Sequence, residues 1–329
     1  MGGPIATIKI LACVPKDLVG NSLRLRSLAK INLDLRVLRK RPDGYHDLRT
    51  IFQTVSLSDT IEIAYKPSRR LTIHLDSDIP GNLIDKAARL LNIPGTFDIR
   101  LTKRIPMGGG LGGGSSNAAA TLLAIPALTN QRIPLEKLVD LASQLGSDVP
   151  FFLLGGTALG LDRGTELYPL PDLKPYPAIL VTPGIHVSTP EAYNALNRPT
   201  GDQLTTSNYE PTTPYWTLPT TPPSSWTCCN DFETVVFPRH PQLKLIKGKL
   251  LKLGADLALM SGSGSTLFGI FTNRFERDSA VVSLKENFGN DKVFPVSLIS
   301  RGVYRSLWWR QLRAQGDGKT WPPQSRYAR

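Results

Sequence analysis

The stretch Pro106-Met107-Gly108-Gly109-Gly110-Leu111-Gly112-Gly113-Gly114-Ser115-Ser116-Asn117, followed at once by Ala118-Ala119-Ala120, decides how the rest of the chain is read. Where side chains are missing, backbone N–H groups can close directly around phosphate oxygens. A helix opening at the same spot adds unpaired N–H groups and a partial positive charge. Ser115 and Ser116 offer hydroxyl donors to the same oxygens. Two familiar phosphate motifs fit poorly. Gly108, Gly110 and Gly113 satisfy GxGxxG, yet about 20 residues on, where a ribose-binding acid belongs, stand Asn130, Gln131 and Arg132. A Walker loop needs a lysine after its last glycine, and none follows here. A flexible linker would not be wedged between a strand, Phe97 to Lys103, and an alanine-rich helix, Ser116 to about Leu128. Phosphate binding is the reading that remains.

Upstream, Ile31, Leu33, Leu35 and Val37 alternate with polar residues, the period of a half-buried strand. Arg41-Pro42-Asp43-Gly44 supplies turn residues, and Leu48 to Leu57 reads as the returning strand of a hairpin. Ile61–Tyr65 and Leu71–Leu75 read as further strands, and Asn82 to Asn92 as a helix with Leu83, Ala87, Leu90 and Leu91 on one face. Pro134 opens the next helix. Beyond Asp148 short strands are expected at 151–154, 157–161, 165–170 and 178–182, then a helix opened by Thr189-Pro190-Glu191. Residues 198–226 are crowded with Pro, Thr and Ser and read as a long connection. The last third alternates helix 241–253, strand 255–260, a glycine-serine turn, strand 266–271, helix 275–288 and strand 292–299. That order points to an α+β sandwich.

The chain has 329 residues, enough for two modest domains by a prior of about 150 residues each. No apolar run approaches the ~20 residues of a bilayer span, which excludes a membrane-spanning helix. Three cysteines, Cys13, Cys228 and Cys229, fit neither a disulfide framework nor a zinc site and point to a reducing, cytoplasmic compartment. The net charge of +12 is concentrated at the end: seven basic residues against Asp317 alone after residue 300 carry half of it. A nucleic-acid binder places such charge on a folded face. Trp308, Trp309 and Trp321 could stack on bases, but a solvated basic tail is the simpler expectation.

The glycine-rich run closely resembles the signature of the galactokinase, homoserine kinase, mevalonate kinase and phosphomevalonate kinase (GHMP) superfamily. Other stretches agree in order: Ala29-Lys30-Ile31-Asn32-Leu33, Arg41-Pro42-Asp43-Gly44-Tyr45-His46, Gly146-Ser147-Asp148-Val149-Pro150-Phe151-Phe152, Asn230-Asp231-Phe232-Glu233 and Ser261-Gly262-Ser263-Gly264-Ser265. Within the superfamily the wording is similar to the branch that phosphorylates the 2-hydroxyl of a cytidine diphosphate-linked methylerythritol in non-mevalonate isoprenoid synthesis. The resemblance spans roughly 28 to 300 and implies a two-domain α+β GHMP kinase fold. Its parts would be a nucleotide-binding domain at 28–162, resembling a ribosomal-protein domain, and a ferredoxin-like α/β-sandwich substrate domain at 163–300. An extension at 1–27 and a basic tail at 301–329 lie outside it.

Phosphoryl transfer to an alcohol needs a clamp on the nucleotide, a base for the hydroxyl, and positive charge near the transferred group. From the residues alone, Asp148 is either a helix-end cap or a carboxylate aimed into a cleft, and Lys30 a lone cation on an apolar strand. The resemblance implies that Asp148 takes the substrate proton beside Lys30. ATP would be held by Asn82, Lys103 and the run Pro106, Met107, Gly108, Gly109, Gly110, Leu111, Gly112, Gly113, Gly114, Ser115 and Ser116. On the acceptor side the resemblance implies Asn32 near the alcohol, Tyr45 and Tyr193 on the two faces of the cytosine, His46 at its edge, and Ser263-Gly264 closing the cleft. Mg²⁺ is expected with ATP, although no carboxylate cluster marks a dedicated protein site. Two rivals remain: a superfamily kinase for another alcohol, for which the aromatic residues would be idle, and a basic nucleic-acid binder.

Overall fold

The computed structural model describes residues 21–200 and 215–312. Its frame is a long hairpin, β1 (Ser22–Lys40) and β2 (His46–Lys66), paired antiparallel from Ser22 with Ala64 to Lys40 with His46. The 48–57 and 61–65 runs are thus one strand. Different lengths of β2 pair outward: Thr60–Lys66 with β4 (Gly95–Thr102), and Thr50–Gln53 with β5 (Thr157–Leu161). With β3 (Leu71–Asp76) and β6 (Glu166–Pro169) the order is β3-β4-β2-β5-β6, with β1 on β2. This first sheet takes in residues on both sides of position 162. A second sheet runs β10-β7-β9-β8, from β7 (Pro177–Val181), β8 (Leu257–Met260), β9 (Leu267–Ile270) and β10 (Val293–Ser297).

Helices α1 (Leu83–Leu91), α2 (Gly113–Leu128), α3 (Leu135–Leu145) and α4 (Val149–Leu154) pack with the first sheet around one core. Helix α2 is buried from Ser116 to Leu128, so it is apolar all round rather than striped. A second core joins Ala29, Ile31, Leu33 and Val55 of the hairpin to Ala178, Leu180, Phe268 and Ile270 of the second sheet. The far face of that sheet, with Ile179 and Val181, packs on α6 (Glu233–Arg239), α7 (Pro241–Lys252) and α8 (Arg274–Phe288). The remaining helix before these, α5 (Thr189–Ala195), is capped by Ser188, whose hydroxyl accepts from the Glu191 N–H; this places the cap one residue before Thr189.

Three further readings are corrected. Segment β1 is not half-buried: Ser27 to Leu35 are buried on both faces, because helices cover one side and the second sheet the other. Residues 151–154 are helical, not a strand. Pro150 suits a first turn, and a four-residue apolar run carries too few residues to distinguish the two periods. Finally, residues 301–312 are no solvated tail. They form α9 (Arg301–Leu312), and Tyr304, Trp308 and Leu312 recur every fourth residue to enter the first core. Its Arg301 guanidinium donates to the carbonyls of Thr157 and Leu170, at 2.5 and 3.2 Å. Trp321 and Cys13 lie outside the described residues.

Candidate active site

The glycine run crosses from β4 into α2 and lines a cavity of about 340 Å³ together with Asn82, Leu83, Leu101 and Lys103. Two glycines are sterically obligatory. At Gly110 (φ +76°) a methyl group would come within 2.1 Å of the Ser261 carbonyl oxygen. At Gly112 (φ +68°), the residue before α2, it would meet Phe152 at 2.9 Å and the Lys30 stem at 3.1 Å. No side chain caps the N-terminus of α2, which leaves its first N–H groups to a ligand. The hydroxyl of Ser116 is buried there without a partner, and so is that of Thr266 beside Gly109.

Asn82 caps α1, its Oδ1 accepting from the Ile84 N–H at 3.0 Å, while its amide donates to Ser77. Lys103 pairs with Asp59, a fully buried carboxylate whose other oxygen accepts from the backbone N–H of Arg104 and Ile105 at 2.7 and 2.8 Å. Asp59 thus fastens the strand end just before the loop. Nothing in the local pattern of the chain singles it out.

The loop is tied to β1 by a backbone bond, the N–H of Lys30 donating to the Leu111 carbonyl at 3.0 Å. On this strand Ile31 and Leu33 face the second sheet, whereas Lys30 turns the other way, its Nζ 5.4 Å from the centre of the Phe52 ring. That ammonium, 4% exposed, lies 3.3 Å from Asp148 Oδ2 and donates to Asn32 Oδ1 at 2.7 Å. Asp148 precedes α4 but makes no side-chain capping bond, and a third of its side chain is open to solvent. The capping alternative therefore falls away. A buried cation whose carboxylate partner opens to solvent is a suitable frame for proton removal.

On the acceptor side the residues divide. Tyr45 is 54% exposed on the hairpin turn, with the Arg163 guanidinium 4.7 Å above its ring. His46, the next residue, is buried and stacks on Tyr193 of α5 at 4.8 Å and 24°. Tyr193 in turn meets Phe232 edge-on at 4.8 Å. Burial and the nearby Lys40 and Arg198 charges lower the His46 pKa from its ordinary value. Burial, helped by the Asp148 charge, pushes the Tyr193 phenol up. The 261–265 turn links these parts: the Ser261 hydroxyl donates to the Gly110 carbonyl at 2.9 Å, and the hydroxyls of Ser263 and Thr189 share a hydrogen bond of 2.7 Å. Among the described residues no group of three or more His, Cys, Asp or Glu could hold a metal ion.

Residues 82–156 match the model described as GHMP kinases N terminal domain, and residues 224–290 the one described as GHMP kinases C terminal. A 4-diphosphocytidyl-2-C-methyl-D-erythritol kinase of Solibacter usitatus is 50% identical over 310 residues, covering 92% of this chain and 97% of its own. One from Geobacter sulfurreducens is 40% identical over 272 residues, covering 79% of this chain and 92% of its own. The chain belongs to the 4-diphosphocytidyl-2-C-methyl-D-erythritol kinase family. A crystal structure of such a kinase superposes with a TM-score of 0.72 at 35% identity, covering 84% of this chain and 99% of its own. A homoserine kinase from Cytophaga hutchinsonii, at 18% identity and a TM-score of 0.62 over 91% of this chain and 98% of its own, shares the fold. The two-domain α+β GHMP kinase expectation is therefore met, and the chain is an ATP-dependent small-molecule kinase of this family.

Several residues at this kinase site escape the motif reading as individuals. Asn230 donates from Nδ2 to the carbonyls of Met260 and Gly262, at 2.6 and 2.8 Å, and so holds the glycine-serine turn against the loop. The Asn230-Asp231-Phe232-Glu233 motif is legible, but the side chain's target, thirty residues away, is not. Thr189 and Thr50 are likewise visible only through their partners.

Proposed function

We propose that this chain transfers the terminal phosphoryl group of ATP to the 2-hydroxyl of 4-diphosphocytidyl-2-C-methyl-D-erythritol, a step of non-mevalonate isoprenoid synthesis. The observation that carries the reading is that one residue serves both halves of the reaction. Lys30 gives its backbone N–H to the phosphate loop and its ammonium to Asp148. A nucleotide gripped by the loop would present its last phosphoryl group beside that carboxylate. Asp148 takes the proton of the 2-hydroxyl as that oxygen bonds to the γ-phosphorus. The bond to the bridging oxygen breaks, and ADP leaves with the electron pair. Lys30 holds Asp148 in place, and the loop amides and the start of α2 receive the charge on the phosphates. Mg²⁺ entering with ATP would neutralise phosphate charge, and the partnerless hydroxyl of Ser116 would offer such an ion a hard oxygen donor.

Tyr45, His46 and Tyr193 serve the cytosine. Ring faces accept any base for ~1–3 kcal/mol, so selection must come from a hydrogen bond, for which a neutral His46 is suited. The enzyme works in the cytoplasm, where ATP is supplied and the free thiols of Cys228 and Cys229 stay reduced. The deciding measurement is ADP release with ATP and Mg²⁺ in the presence of the cytidyl alcohol, beside mevalonate, homoserine and galactose. Turnover is expected with the cytidyl alcohol alone. Comparable turnover of another alcohol, or none of this one, would overturn the assignment.

A further inference from the structure

The strand β2 brings a fully buried hydroxyl, that of Thr50, to the back of the Lys30–Asp148 pair. Thr50 is 1% exposed, and the hydrogen bonds of its hydroxyl go to Asn32 and Asp34. Its Oγ1 donates to the Asp34 carbonyl at 2.7 Å and accepts from Asn32 Nδ2 at 2.8 Å. Asn32 Oδ1 in turn accepts from Lys30 Nζ at 2.7 Å. The register of β1 against β2 shifts between Asn32 and Asp34, which lets one threonine reach both a side chain and a carbonyl two residues further along.

The direction of every bond in this row is forced. A carbonyl can only accept, so the single hydroxyl proton of Thr50 is committed to Asp34. Toward Asn32 the threonine can then only accept, and the amide must present its NH₂ group. Its oxygen is left for Lys30, whose ammonium can only donate. Thr50 therefore sets the orientation of the Asn32 amide from behind. The amide oxygen gives the Lys30 ammonium a second fixed acceptor, besides the Asp148 carboxylate. The same oxygen borders the turn that closes on the loop, since a methyl group at Gly262 would come within 3.7 Å of it.

We propose that Thr50 is a positioning residue for phosphoryl transfer: its hydroxyl locks the Asn32 amide so that Lys30 is held against Asp148. The proposal rests on the kinase reading above and deepens it. Removing the hydroxyl leaves the amide of Asn32 and the carbonyl of Asp34 short of a partner in a buried place, so both the amide and the ammonium gain freedom. A reacting group misplaced by about 1 Å can cost about 10²-fold in rate. Nucleotide binding depends on other atoms and should be untouched.

Thr50→Val keeps the branched shape and removes the hydroxyl; Thr50→Ser keeps the hydroxyl and removes the methyl. Steady-state kinetics with ATP and the cytidyl alcohol should show kcat falling roughly 10- to 100-fold in Thr50→Val, with KM for ATP unchanged. Thr50→Ser should stay within about twofold of the parent. In an Asn32→Ala background, replacing Thr50 by Val should cost nothing further, because its effect passes through that amide. Thr50→Ser also settles the matter if the valine variant does not fold: a loss of kcat in the serine variant means that the methyl group, through packing, matters at this position. That result, an unchanged kcat in Thr50→Val, or an equal loss with and without Asn32 would each overturn the role. An inactive parent enzyme would instead overturn the kinase assignment itself.

Discussion

The proposed phosphoryl-transfer centre and the proposed base pocket of this protein are built on opposite principles, although one hairpin contributes residues to both. At the centre, Lys30, Asn32 and Thr50 are buried and joined by bonds whose donors and acceptors admit one arrangement. At the pocket, Tyr45 is half exposed and held by a guanidinium above its ring, and His46 is fixed mainly by stacking on Tyr193. Transferring a phosphoryl group requires individual atoms to stay put, and buried charge-assisted bonds do that. Holding a flat base requires surfaces, and ring faces tolerate sliding and tilt. Substitutions at the centre should therefore appear in kcat, and substitutions at the pocket in KM for the acceptor.

The largest effect is expected from Asp148→Asn, which keeps the shape and removes the proposed base. Turnover should fall ~10²- to 10⁴-fold while ATP binding, followed by titration with a fluorescent nucleotide, is retained. Near-normal turnover would remove Asp148 from the chemistry and dissolve the contrast. Next comes Gly110→Ala, where the added methyl group meets the Ser261 carbonyl and the positive φ is strained by about 1–3 kcal/mol. KM for ATP should rise about tenfold or more, since each 1.4 kcal/mol is a factor of about ten. An unchanged KM would mean that the loop does not approach the phosphates in this form.

Tyr45→Ala tests the pocket. Loss of one stacking face, ~1–3 kcal/mol in full and less at an exposed rim, should raise KM for the cytidyl alcohol by about five- to tenfold and leave that for ATP alone. Equal weakening of both would show that the two regions are not separable. The smallest effect concerns pH. Because the His46 pKa is lowered, the ring is neutral near pH 7 and gains its proton only as pH falls through that depressed value, below about 6.5. In this acid window kcat/KM for the cytidyl alcohol should drop a few-fold while KM for ATP holds. His46→Gln should lose that step; its persistence would assign the titration to another group.

Much of the site is legible along the chain, for physical reasons. A phosphate loop depends on missing side chains, and their absence shows in one dense run from Gly108 to Gly114. Lys30 is visible as a charge among apolar residues, and Asp148 as an acid after Gly146 and before Pro150. Elsewhere the one-dimensional pattern misleads. The tail from Arg301 reads as basic and solvated because arginines dominate its composition, yet Tyr304, Trp308 and Leu312 form a buried stripe. Helix α4 is hidden because six residues of largely apolar sequence carry little periodicity.

The sequence by itself determined the glycine-rich loop, the order of the kinase motifs and the residues able to carry charge and protons, because these depend on residue type and local spacing. Only the tertiary structure decided that Leu111 meets Lys30, that Asn230 holds the glycine-serine turn, and that Thr50 stands behind Asn32. Those contacts join residues far apart in the chain, and which donor finds which acceptor is settled only when the two sheets and the helix layer close and water is excluded from the space between them.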